Sequence, residues 1–370
     1  MSAPLQGLKV IELARILAGP WIGQTLADLG ADVLKVESPE GDDTRKWGPP
    51  FIERDGDKTA AYFHAANRGK DSIALDFREE GDRANLLDLI RDADVLIENF
   101  KVGGLKKFGL DYDSVKEINP GLIYASVTGF GQDGPYAHRA GYDFLIQGMS
   151  GIMDLTGDPQ GEPQKIGVAF ADIFTGLYGV IGIQAALAER ERSGLGQHVD
   201  LSLLDCMTGV LANQAMNYLA SGQCPTRLGN AHPNIVPYQV FPVADGHIII
   251  ACGNDHQYAS LCRILGLTEL IDDARYSSNA DRVANRAELT DALTQACQKW
   301  SKADLLAALE QNGVPGGPIN SVQEALSDPQ IQHRGMQIAP EGVPGLRTPI
   351  RFSRSALSLD KASAKRPVRS

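Results

Sequence analysis

Cysteine is scarce and unpaired. The five residues, Cys206, Cys224, Cys252, Cys262 and Cys297, are odd in number and far apart, with no C-x-x-C. Such spacing excludes a disulfide frame and a zinc ribbon, and fits the reduced thiols of a cytosolic protein. Seven histidines include no H-E-x-x-H or comparable pair, so no resident metal is expected. Positive charge is in deficit: 35 Lys and Arg against 46 Asp and Glu leave a net charge of −11. This argues against nucleic acid or an anionic membrane as partner. A small polyanion needs only a local group of cations and stays possible. No apolar run approaches the length of a membrane span, the opening MSAPLQGLKVIEL has no signal-peptide pattern, and no internal repeat is visible.

What is present suits a globular α/β enzyme. The 370 residues, 43% hydrophobic and 22% charged, are enough for two domains with a full core. The first half alternates apolar strand-like runs (8–13, 32–37, 72–77, 94–100, 122–128) with helical patterns (21–29, closed by Gly30, and 79–93). Strands this apolar, interleaved with helices, predict a doubly wound parallel sheet covered on both faces. Ligands of such sheets lie beyond the carboxyl ends of the strands, here residues 15–20, 37–45, 99–103 and 129–143. The run from Gly129 to Gly134, GFGQDG, fits G-x-G-x-x-G, but Pro135 follows and no helix opens there. The first strand, where a dinucleotide fingerprint belongs, runs into ARILAGP instead. The glycine run reads as a turn, and NAD is not expected.

Residues 167–189, GVAFADIFTGLYGVIGIQAALAE, form the centre of the chain. The strand-like Val168, Ala169 and Phe170 end at a single acid, Asp172. A helix rich in small residues then runs without charge to Glu189 and is expected to be buried on nearly every face. An acid at its mouth faces free N–H groups and the positive end of the helix dipole, which would keep it ionised and fixed in direction. From this stretch alone, Asp172 is either a carboxylate nucleophile or a helix cap. A turn (190–197), a strand (199–204) and a helical pattern (204–221) follow. These bring a large domain, 1–221, to a Gly/Pro/Asn-rich linker or loop at 222–237. A smaller α+β domain, 238–328, reads as a hairpin about Asp245-Gly246 and helices at 255–265, 281–299 and 302–311. Ser301 with Asp304 supplies a start for the last helix and Gly313 a stop. Residues 329–370 form an extended return segment, its basic tail from Lys361 expected to be loose and solvated.

Several blocks together resemble the class III CoA-transferases (the CaiB/BaiF family): GLKVIELARILAGP, ADLGADVLKVESPEGDDTR, NRGKDSIALD, DVLIENFKVGGLKKFGL, INPGLIYASVTGFGQDGP, RAGYD and GVAFADIFTGLYG. LGNAHPNIVPYQVF, DGHIIIACGN and NGVPGGPINSVQEAL carry the likeness through the smaller domain. GDDTRKWGPPF and AHPNIVPYQ place it nearest the succinyl/glutaryl-CoA dicarboxylate enzymes. The resemblance implies a Rossmann-like large domain, an interlocked cytoplasmic homodimer, and coenzyme A, as acyl-CoA, for co-substrate. It implies that CoA moves from a succinyl-CoA-like donor to a short dicarboxylic acid through an aspartyl anhydride and an aspartyl-CoA thioester on Asp172, with Asp143 assisting. A carboxylate needs no general base for this.

By the same resemblance Leu17 and Ala18 bracket the adenine–pantetheine region. Leu75 to Arg78 and Asn99, Phe100 and Lys101 line the nucleotide, Ala140 and Tyr142 lie beside it, and Lys107 holds phosphate. Ser38 stands where relatives often carry a cation, so Arg45 or Lys46 is expected to compensate. Arg68, Lys70, Lys106 and Lys107 read equally well as a solvated basic face. Tyr142 precedes Asp143 where racemases of this kind carry His, which favours transfer over α-proton exchange. The loop 230–239, with His232 and Gln239, and Arg227 before it, is a candidate lid and carboxylate partner. Members usually continue through a G-x-H-T segment that is absent here, so the chain after Leu359 is expected to be shortened or altered. An acyl-CoA racemase, a nicotinamide-dependent dehydrogenase and a catalytically silent CoA-binding protein are the rival readings.

Overall fold

The computed structural model describes residues 2–367. The chain forms two compact units: Met1–Met153, Lys165–Cys224 and Gln330–Ser370 make one, Asp154–Gln164 and Pro225–Pro329 the other. The excursion Asp154–Gln164, which the sequence does not set apart, thus groups with the second unit.

The first unit is built on six strands: β1 Lys9–Glu12, β2 Asp32–Glu37, β3 Asp71–Ala74, β4 Val95–Glu98, β5 Ile123–Thr128 and β6 His198–Ser202. All pair in parallel, in the order β3-β2-β1-β4-β5-β6. This is the strand order of a doubly wound sheet, as expected, and it reverses between β1 and β4. Helices α1 Ala18–Asp28, α2 Ala61–Asn67, α3 Glu80–Arg91, α4 Asp143–Met149, α5 Phe170–Ser193, α6 Leu203–Gly209 and α7 Ala212–Ser221 complete the unit's frame. Alternate strand residues feed opposite cores, because successive side chains of a strand point to opposite faces. Val10, Val95, Ile97, Ala125 and Val127 pack with Ile22 of α1 and Ile183 of α5. Ile11, Leu13, Leu96 and Tyr124 pack with Leu86 and Ile90 of α3.

The small residues of α5 let it cross α1 closely. A Cβ on Gly179 would sit 2.4 Å from Ile22 Cδ1, and one on Gly176 2.9 Å from the Trp21 ring. Helix α1 in turn lies tight on β1: a Cβ on Gly23 would come within 1.8 Å of Glu12 Oε2.

Beneath α1 lies a buried ionic cluster. Lys35 bridges Glu12 and Asp42 at 3.0 Å each, Lys70 Nζ lies 2.8 Å from Glu12 Oε2, and Arg68 meets Asp28 at 2.5 Å. Arg68 and Lys70 are therefore core ion pairs and not the solvated face the sequence allowed. Burial, the largest influence, pulls the Lys70 pKa down to about 8 against the pull of Glu12.

Five further expectations need correcting. No strand precedes α5; the helix begins at Phe170. Nor is α5 buried all round, since Leu177, Tyr178 and Ile181 are exposed, the last at 61%. The helix is also long and apolar enough, by length and composition, to cross a membrane, contrary to the first reading of the sequence. Here its glycine face is packed on α1 as a core helix would be. The tail is not loose. Ala362 and Ser363 are buried, Arg54 donates to Ser363 O, and Lys365 pairs with Asp55 at 2.7 Å. The last three residues of that expected tail lie outside the described residues. The return segment is not wholly extended either: Pro329–His333 is helical and Gln337–Ile338 pairs with Gly345–Leu346.

In the second unit β7 Tyr238–Val243 and β8 Gly246–Ala251 form the expected hairpin, with β9 Gly316–Pro318 on the far side of β8. Helices α8 Asp255–Leu265, α9 Arg286–Cys297 and α10 Lys302–Gln311 cover a core of Phe241, Ile248, Ile250, Leu261, Leu289 and Leu305.

Candidate active site

Where β1 and β4 part company, the loops after them open a groove of about 480 Å3, within the usual range of small-molecule sites. Leu17, Ala18, Asn99, Phe100, Lys101, Lys107, Ala140, Tyr142 and Asp172 all line it. The fold brings these together because each follows a strand end or a helix start on one edge of the sheet.

Asp172 stands in the first turn of α5 but does not cap it. The N–H of Ala171 donates instead to Asp143 Oδ1 at 2.9 Å, while Asp143 Oδ2 accepts from Gln147 Nε2 at 2.8 Å. Asp143, the first residue of α4, is therefore the cap of a helix that begins 27 residues later. Gln147 Oε1 accepts the N–H of Ile166 and completes the bracket. Asp172 is left with a half-buried carboxyl at the groove wall. Burial, and then the charge of Asp143, push its pKa up to about 7. This corrects the expectation of a carboxylate held firmly ionised by backbone N–H groups: the neighbouring acid has taken the bond that would have lowered it.

Tyr62, which the sequence did not single out and which does not line the groove, feels the charges of both acids. Burial raises its pKa to about 12, and the Asp172 and Asp143 charges add to the rise. Trp47 packs edge-on against it at 5.3 Å. A tyrosine near two acids keeps its proton and can donate a hydrogen bond to an oxyanion. The only local signal was an aromatic in an alanine-rich helix.

Around the groove four cations face one acid. Arg15, Lys101, Lys107 and Arg139 line it, against Asp172 alone among the acids. Arg15 also pairs with Asp43 at 3.1 Å, and Arg139 stacks on Tyr136 with its guanidinium 4.6 Å from the ring centre. Arg15 and Arg139 were not picked out from the sequence, whereas three expected residues lie elsewhere. Arg45 is buried, bonds Glu37 through Nε at 2.7 Å and Nη2 at 2.6 Å, and covers the Phe63 ring. It cannot replace the cation missing at Ser38. Arg78 is exposed and paired with Asp76 at 2.6 Å, and Leu75 donates its N–H to Glu37 O; neither lines the groove.

The glycine run also finds its role. A Cβ on Gly129 would sit 2.6 Å from Gly141 Cα, so the two glycines let the β5 exit and the RAGYD loop touch backbone to backbone. In the second unit, Arg227 is committed to Asp154 Oδ1 at 3.1 Å and to carbonyls of Asp154, Asp158 and Gly161. His232 Nδ1 accepts from the N–H of Asn234, its ring 5.2 Å from that of Tyr238, and Gln239 lies within β7. Among the described residues no three His, Cys, Asp or Glu gather as a metal site requires.

A cationic groove ending at a carboxyl of raised pKa can hold a polyphosphate arm and offer an oxygen nucleophile to its far end. Comparison with known proteins agrees in kind. The family model described as CoA-transferase family III matches residues 5–365. The succinate–glutarate CoA-transferase of Agrobacterium fabrum is 57% identical over 370 residues, spanning 98% of this chain and 92% of that protein. The succinyl-CoA:glutarate CoA-transferase of Mus musculus is 43% identical over 334 residues, 90% of this chain and 76% of that one. The crystal structure of a CaiB/BaiF family protein from Brucella suis superposes with a TM-score of 0.89 at 66% identity, covering 98% of this chain and 96% of that one.

Proposed function

The chain belongs to CoA-transferase family III, and on that premise we propose that it moves CoA from succinyl-CoA to glutarate or a similar short dicarboxylic acid. That it is an enzyme of the CoA-transferase class follows from the family; the choice of acids rests on the names of the relatives. The observation that carries the proposal is Asp172, half-buried at the wall of a groove whose other charged lining residues are all cations.

In the proposed chemistry an Asp172 oxygen attacks the thioester carbonyl; the new C–O bond forms, the C–S bond breaks, and CoA leaves as thiolate. The thiolate then attacks Asp172 Cγ of the mixed anhydride and expels the first acid as its carboxylate, leaving an aspartyl-CoA thioester. The incoming carboxylate repeats both steps in reverse. No proton is transferred, so Asp172 must be ionised to start. Lys101, Lys107, Arg15 and Arg139, which line the groove, are the cations suited to the phosphates of CoA. The enzyme is proposed to act in the cytosol as a homodimer, with the apolar face of Leu177, Tyr178 and Ile181 covered by a second copy.

Turnover of succinyl-CoA against a panel of acids tests this. Transfer to glutarate that disappears in Asp172→Ala is expected. Transfer that survives that substitution, or hydrogen exchange at Cα of an acyl-CoA with no acceptor present, would overturn the reading in favour of another mechanism.

A further inference from the structure

One wall of the groove is made by a backbone turn in an uncomfortable conformation. Between β1 and α1, Ile16 has φ +74°. That region costs a β-branched residue more than almost any other, because Cβ and its two branches crowd the neighbouring carbonyl. Among the described residues the other non-glycine positions at positive φ are Asp55, Ala212 and Glu341, none of them β-branched. Ile16 lines the groove, and so do Arg15 before it and Leu17 and Ala18 after it. Leu17 O accepts the N–H of Trp21 at 2.7 Å, so the turn also sets where α1 begins.

The turn is held from β4. Past the strand's end, the Asn99 side chain meets the Arg15 backbone twice: Arg15 N–H donates to Asn99 Oδ1 at 2.9 Å, and Asn99 Nδ2 donates to Arg15 O at 2.7 Å. The amide thus continues the β1–β4 ladder where the backbones have diverged, one step beyond the bond from Leu13 N–H to Ile97 O. The second bond has a specific consequence. Rotation about φ of Ile16 is rotation of the Arg15–Ile16 peptide plane, and Arg15 O lies in that plane. Fixing that oxygen opposes the flip that would return Ile16 to negative φ. The Asn99 segment is itself anchored, since the N–H of Phe100 donates to Glu98 Oε2 at 2.7 Å.

We infer that Asn99 is a positioning residue: it holds the Arg15–Ile16 peptide in its strained orientation, so that Ile16, Leu17 and Ala18 form a fixed wall for the acyl-CoA arm. The inference rests on the CoA-binding reading of the groove. It gives the Asn99 amide a backbone partner in place of the nucleotide contact expected from the sequence.

A double-mutant cycle tests it, because glycine adopts φ +74° without strain. Asn99→Ala is expected to raise Kd and KM for succinyl-CoA by about tenfold, with kcat and the KM for the acceptor acid changed far less. The same substitution made in Ile16→Gly protein is expected to cost less than about threefold. Equal cost in the two backgrounds would overturn the inference, as would a loss confined to kcat. Asn99→Asp, which keeps Oδ1 but cannot donate to Arg15 O, is expected to behave like Asn99→Ala and guards against a volume effect. A ligand-free readout separates this inference from the reading of the groove. Hydrogen exchange at the Trp21 amide, bonded to Leu17 O, is expected to quicken about tenfold in Asn99→Ala at unchanged global stability. No quickening overturns the clamp whether or not the wild type binds CoA. Quickening in a protein that binds no CoA keeps the clamp and overturns the groove's assignment.

Discussion

At the scale of the residue, the account turns on which acid takes the N–H at the mouth of α5. Asp143 takes it, and Asp172 is left exposed to the cost of its own burial. Its pKa rises from 3.8 to about 7. Since only the carboxylate attacks, kcat/KM should fall about tenfold per pH unit below that midpoint and level off above it. A pH profile flat from 5 to 8 would contradict this. The same shift bears on stability. A folded-state pKa above the unfolded one favours the protonated form, so the contribution is intact below about 4 and lost as pH rises through about 7. Asp172→Asn, which is always neutral, should therefore be more stable than the wild type by about 4 kcal/mol at pH 8, with the gain fading toward pH 4 in denaturant titrations. A gain independent of pH would mean that desolvation of the charge is not its cause.

The candidacy of Asp172 was legible in the sequence, as one acid opening a long uncharged helix. Its titration was not, because the competing carboxylate comes from α4, and no local pattern reveals which of two acids will reach a free N–H. The cations show the same limit. Arg45, Arg68 and Lys70 looked available because their partners, Glu37, Asp28 and Glu12, are non-local. A signal did exist: Glu12 and Lys35 interrupt apolar parallel strands, and a charge in such a strand must find a partner indoors.

At the scale of the element, the glycines of α5 do in structure what they suggest in sequence: they allow close approach to α1. Gly179→Ala should cost about 1–3 kcal/mol, since the buried Ile22 Cδ1 stands 2.4 Å from the added Cβ and has little room to move. Adding Ile22→Val, which deletes that methyl, should recover part of the loss in thermal or chemical unfolding. Additive losses would show that the crossing is not the constraint. Asp143→Ala should cost about 1 kcal/mol as a lost helix cap. It should also shift the acid limb of the rate profile to lower pH, because a like charge beside Asp172 is gone. A limb unmoved in Asp143→Ala would mean that burial alone raises the Asp172 pKa. Helix ends were less legible than helices. The pattern at 281–299 divides into Asn279–Ala284 and α9, and the one at 204–221 divides at Ala212, where φ is +46°. Both breaks are single-residue backbone events that leave hydrophobic spacing nearly intact.

For the whole molecule, the sheet order was within reach because apolar strands alternating with helices permit few right-handed windings. The uncovered face of α5 was not, since spacing cannot say which side of a helix apolar all round stays exposed in the folded chain. If a second copy covers that side, sedimentation should give twice the chain mass, and Ile181→Asp should return the single-chain value with a folded far-UV spectrum. A wild type that sediments at the single-chain mass at micromolar concentration would contradict the dimer.

The central claim, that the acid travels through a bond to Asp172, is tested most directly by its oxygen atoms. During turnover with succinyl-CoA and oxygen-18-labelled glutarate, the labelled carboxylate attacks Asp172 Cγ. Return of the thiolate to the glutaryl carbonyl then leaves one labelled oxygen on Asp172. Mass spectra of the peptide that holds Asp172 should therefore gain heavy oxygen with successive turnovers, and gain none when CoA donor is omitted. Full turnover with that peptide unlabelled would mean that the acids exchange CoA without bonding to Asp172, and the account would be wrong.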